Sequence, residues 1–108
     1  MLMTSCKKEN SERILGSWVS TEESFWENYL PEGAICFTFR ADDSVEVADI
    51  SKEDHKLTGT NPYFLSNDTL IIEDYGRFEI RQLKHNHMNL IHPSYYCMDD
   101  QLFFKRKK

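Results

Sequence analysis

The chain has 108 residues, near the commonest size of one domain, with 40% hydrophobic and 13% aromatic side chains. That is enough for one hydrophobic core, too little for two domains, and too apolar for a disordered segment. Net charge is −5, but Lys7, Lys8, Lys105, Arg106, Lys107 and Lys108 hold six of the thirteen basic residues, so residues 9–104 carry a balance of −11. A body so acidic is repelled by phosphate backbones, and nucleic acid is excluded as a partner.

No run of about 18 apolar residues is present to form a complete transmembrane helix. The first segment, Met1-Leu2-Met3-Thr4-Ser5-Cys6, resembles the end of a bacterial lipoprotein signal, in which apolar and then small residues precede the cysteine that receives lipid. The polar Lys7-Lys8-Glu9-Asn10 that follows is similar to the tethers of such proteins. A basic n-region and an apolar stretch of about 7–15 residues are missing upstream, so the resemblance implies a start downstream of the true one. Residues 1–10 are therefore expected to be a signal remnant and tether. Residues 11–108 are expected to be the folded domain, held at the envelope of a Gram-negative bacterium by a lipid on Cys6.

Ser11-Glu12-Arg13, ahead of Ile14-Leu15, predicts one helical turn. Short β-rich runs follow: Gly16 to Glu22, Ala34 to Arg40, Ser44 to Ile50, Leu57 to Phe64, Thr69 to Asp74, Arg77 to Lys84, His87 to His92 and Gln101 to Arg106. Alternation within them separates an apolar face from a wet one. Phe37 and Phe39 oppose Cys36 and Thr38, and Phe78 and Ile80 oppose Arg77, Glu79 and Arg81. Turn residues at Asp42-Asp43-Ser44, Asn61-Pro62, Ser66-Asn67-Asp68, Tyr75-Gly76 and His85-Asn86 divide the runs at about 8–12-residue intervals. Short links between successive strands predict an antiparallel up-and-down meander. The inward positions nominate Trp18, Phe37, Phe39, Val45, Val47, Leu70, Ile72, Phe78, Ile80, Met88, Leu90, Leu102 and Phe104 as the core.

One connection is longer. Between Thr21 and Gly33, the spacing of Phe25, Trp26, Tyr29 and Leu30 would align these side chains on one side of a short helix. Such a segment reads as a plug that completes the core, or else as a lid whose Phe25, Trp26 and Tyr29 face a ligand.

Three motifs together resemble the lipocalin-like domains of bacterial lipoproteins. Leu15-Gly16-Ser17-Trp18 is similar to the Gly-x-Trp that opens the first lipocalin strand; Phe37 to Val45 resembles an early hairpin with an Asp-Gly turn, although Asp43 stands where the glycine would be; Leu102 to Arg106 resembles the closing strand. The resemblance implies an all-β, eight-stranded lipocalin-like barrel, a family whose members often hold one apolar ligand in the mouth. It also implies a seal in which Arg106 covers Trp18. Alternation separately puts Leu102, Phe104 and Arg106 on one face.

Catalytic and metal signals are weak. His85-Asn86-His87 matches a nuclease motif in letters only, and two imidazoles at i, i+2 read better as a polar turn than as a metal chelate. The pairs Asp42-Asp43, Glu53-Asp54, Glu73-Asp74 and Asp99-Asp100 lack the alternating oxygen spacing of a calcium loop. No Gly-x-Ser-x-Gly or phosphate-binding glycine loop occurs. Cys36 and Cys97 lack the electropositive setting of a catalytic thiol. They are the pair left for a disulfide if the domain is exported and their Cα atoms lie within about 7 Å. The expectation is a non-enzymatic domain without cofactor or metal, in a binding or structural role. Its alternatives are a protein-interaction module with a filled core and, more remotely, a small hydrolase.

Overall fold

The computed structural model describes residues 10–26, 28–50, 57–92 and 100–107. A single helical turn, α1 (Asn10–Arg13), precedes ten strands: β1 (Gly16–Ser20), β2 (Phe25–Trp26), β3 (Asn28–Tyr29), β4 (Ile35–Phe39), β5 (Ser44–Asp49), β6 (Leu57–Ser66), β7 (Thr69–Ile72), β8 (Gly76–Leu83), β9 (His87–His92) and β10 (Asp100–Arg106). Strand β1 pairs with both β4 and β10, and β4 to β10 follow one another in sequence order. Eight antiparallel strands thus close into an up-and-down barrel, with the β2–β3 hairpin added to the start of β10 through Phe25 and Gln101. Closure leaves the barrel itself without a free edge.

Period-two alternation decides which side chains meet inside. Every residue nominated for the core is buried, and Ile14, Trp26, Leu30, Ala34, Ile35, Tyr63 and Leu83 join it. Leu83 breaks the alternation of β8 because the register shifts between Ile80 and Gln82, and this bulge brings Leu83 inward. Asn61-Pro62 does not end a strand as its turn chemistry suggests. Pro62 lies within β6 opposite Ser44, the first residue of β5, where the ladder ends and a missing N–H costs little.

The segment after β1 is not helical. It forms the β2–β3 hairpin, held by Thr21 N–H and Ser24 Oγ–H donating to Phe103 O (2.8 and 3.0 Å), while Phe103 N–H donates back to Ser24 Oγ (2.9 Å). A helix this short is marginal in water, whereas the start of β10 offers backbone partners. The plug reading survives in part. Trp26 and Leu30 are buried, Phe25 is half-buried, and Tyr29 is 77% exposed.

The β4–β5 hairpin accommodates its missing glycine. Asp43 N–H donates to Arg40 O (3.3 Å), and Asp43 then adopts a left-handed φ of 65°, a conformation in which Asp is better tolerated than most residues. Asp42 Oδ1 accepts the N–H and the hydroxyl of Ser44 (3.1 and 2.5 Å). These bonds hold the Asp42 carboxyl below its usual pKa.

Candidate functional site

One end of the barrel is formed where β1, β5, β7 and β9 finish and β4, β6, β8 and β10 begin, and here the inward phase carries polar side chains. Ser20 continues the phase of Trp18, Asp49 that of Val45 and Val47, His92 that of Met88 and Leu90, and Asp100 precedes Leu102 and Phe104 in the same phase. Asp49 is 2% exposed and accepts the Tyr75 hydroxyl at 2.7 Å. Burial, then the Asp49 charge and this hydrogen bond, push the Tyr75 phenol well above its ordinary pKa. His92 Nδ1 lies 3.7 Å from Asp100 Oδ2, its direct partner across β9 and β10.

Trp26 fills the middle of this collar. Its ring packs against His92, Tyr75 and Phe78 with centroids 5.0, 5.6 and 5.7 Å apart. Below it, Phe37 touches Tyr75, Phe39 and Phe104 at 5.7, 5.6 and 4.9 Å. A continuous file of aromatic rings therefore runs down the interior. The hydroxyls of Ser20 and Ser24 are engaged by backbone, Ser20 Oγ accepting from Ile35 N–H at 3.0 Å. Of the three side chains expected to face a ligand, Trp26 occupies the interior itself, while Phe25 and Tyr29 stack edge to face outside it (5.1 Å).

Comparison with known proteins finds no family model and no curated protein that matches this sequence.

At the opposite end, α1 and Ile14 close the barrel. Trp18 Nε1–H donates to Ile14 O (2.8 Å), and the Arg106 guanidinium lies 4.2 Å from the centre of the Trp18 ring. Its three nitrogens donate to the carbonyls of Arg13 (2.8 Å), Leu15 (2.7 Å) and His85 (2.5 Å). Trp18 and Arg106 are also direct cross-strand partners. Gly16 makes the approach possible. Its φ is +111°, and a Cβ there would sit 2.6 Å from Arg106 Nη1.

Cys6 and Cys97 lie outside the described residues. Cys36 is half-buried on the outer face of β4, its thiol 3.8 Å from Gly33 O. Among the described residues, no three His, Cys, Asp or Glu side chains group to hold a metal, and no helix is long and apolar enough to cross a membrane. The sequence singled out nothing at Asp49, offered Asp100 only as half of an acid pair and His92 only as a histidine beyond His85 and His87, and did not bring the three together. Their signal was a polar residue in the inward phase at a strand end.

Proposed function

We propose that this chain is a non-enzymatic, lipocalin-like domain of a bacterial envelope lipoprotein, tethered by a lipid on Cys6, that meets a protein partner with its outer surface. The observation carrying this reading is the file of rings from Trp26 to Phe104, which takes the space where a calyx would hold an apolar ligand. The outer wall supports it. Phe64 and Ile71 are direct partners across β6 and β7, 60% and 39% exposed, and Pro62 is exposed on the same face of β6. Apolar side chains on the wet face of a strand pair favour contact with another protein. Among the described residues, the Ser20 and Ser24 hydroxyls at this end are tied to backbone groups, an arrangement that favours a binding role over hydrolysis.

The test has two arms. Protein purified from its native envelope should carry no stoichiometric fatty acid beyond that covalently held on Cys6, by native mass spectrometry, and a fluorescent fatty acid should show no saturable binding. A photo-crosslinking residue at Phe64 should give a discrete protein adduct that Ile71→Asp abolishes, while the same residue at Glu79 should give none. Stoichiometric lipid inside the barrel, or equal adducts at both positions, overturns the proposal.

A further inference from the structure

A cleft of about 310 Å³ opens at the closed end of the barrel, lined by Ser11, Leu15, Ala41, Asp43, Tyr63 and Leu65. Its floor is apolar. Tyr63 is 6% exposed, and Leu15 and Leu65 pack against the core. Its rim is polar, with the Ser11 hydroxyl and the Asp43 carboxylate at exposed positions. The volume is at the lower end of small-molecule sites.

The charges around this cleft are unequally used. Arg40 pairs with Glu46 at 2.8 Å, and Asp42 is occupied by Ser44. Among the described residues, the Asp43 carboxylate takes part in no ion pair. Its backbone is nonetheless pinned, with Asp43 N–H bonded to Arg40 O and Asp43 O accepting Tyr63 N–H at 3.0 Å. The residue also holds a left-handed φ of 65° that glycine would adopt without strain. The Asp43 carboxylate is therefore held from a fixed backbone at the lip of a cleft whose floor is apolar.

We infer that the cleft binds a small organic cation, a primary ammonium or guanidinium seated at Asp43 with a short apolar body against Leu15, Tyr63 and Leu65. A carboxylate with no neutralising partner attracts a cation and repels an anion, and the half-apolar lining suits an amphiphile over a sugar. A bare divalent metal is a poor fit, since one carboxylate and one hydroxyl fall far short of the roughly six to eight oxygens that calcium takes. This inference is independent of any partner on the outer wall.

The experiment uses the full chain with 2-phenylethylamine, followed by amide ¹H–¹⁵N shifts. Saturable shifts are expected at Ser11, Asp43, Tyr63 and Leu65, and none of comparable size with 3-phenylpropionate, which has a similar body and the opposite charge. Asp43→Gly should fold with a raised unfolding midpoint, because it relieves the left-handed strain, yet weaken amine binding about tenfold or more. Asp43→Asn, which keeps the side-chain shape without the charge, should weaken it similarly. Equal response to the carboxylate probe, undiminished binding in both variants, or no saturable shift in these four residues overturns the inference.

Discussion

Arg106 and Gly16 are coupled across the closed end of the barrel, and a double-mutant cycle measures the coupling. Arg106→Ala removes three charge-assisted hydrogen bonds to backbone carbonyls and the contact with Trp18. Such bonds are worth about 1.5–3 kcal/mol each and a cation–π contact about 0.5–2. The stripped carbonyls sit at a barrel end that water reaches, so the net loss is well below the sum, about 2–4 kcal/mol. Arg106→Lys keeps the charge, but one ammonium cannot span three carbonyls, and about half that loss is expected. Gly16→Ala alone meets two penalties: the left-handed backbone, about 1–2 kcal/mol, and displacement of a guanidinium pinned on three sides. In the Arg106→Ala background only the first remains. The double variant should therefore be more stable than the sum of the single changes predicts, by about 1–2 kcal/mol, well outside the ~0.3–0.5 kcal/mol within which independent sites add. Equilibrium urea unfolding, followed by circular dichroism and tryptophan fluorescence, gives all four corners. Additivity, or a loss under about 0.5 kcal/mol for Arg106→Ala, would refute the reasoning.

Phe39 is 2% exposed between Phe37 and Tyr63 (centroids 5.6 and 5.0 Å), and Phe39→Ala should cost about 3–5 kcal/mol in the same assay, a loss under about 1 kcal/mol contradicting its inward placement. The Tyr75 phenol is held protonated by burial and by Asp49, so its stabilising contribution is complete below its unfolded pKa of about 10 and is lost as pH rises above it. Unfolding free energy should thus fall on the alkaline side, and Tyr75→Phe should make that fall shallower by up to about 1.4 kcal/mol per pH unit; an unchanged slope would remove the phenol from the account. Expression of the full gene in a Gram-negative host should yield acylated Cys6 by mass spectrometry and a membrane-associated protein, and an unmodified Cys6 on a freely soluble protein would defeat the lipoprotein reading.

The barrel was legible in the sequence because a strand repeats its side-chain direction every two residues. Once Phe37 and Phe39, Val45 and Val47, or Leu102 and Phe104 are set inward, the opposite face follows, and short turn-forming links leave an antiparallel neighbour as the natural partner. The same period extends to Asp49, His92 and Asp100, so the polar collar was present in the pattern, though nothing local told which acid would meet Tyr75, 26 residues away from Asp49. The plug was decided by tertiary structure. Its spacing fits a helical face as well as a strand, and what selected the hairpin was the start of β10, where Phe103 offers an N–H and a carbonyl to Thr21 and Ser24. The cleft beside Asp43 is likewise a product of closure, since it exists only where α1, the β4–β5 turn and β6 converge. Alternation is a property of one strand and can be read along the chain. The contents of a barrel's two ends depend on which strands arrive there together, and that is settled only when β1 pairs with β10.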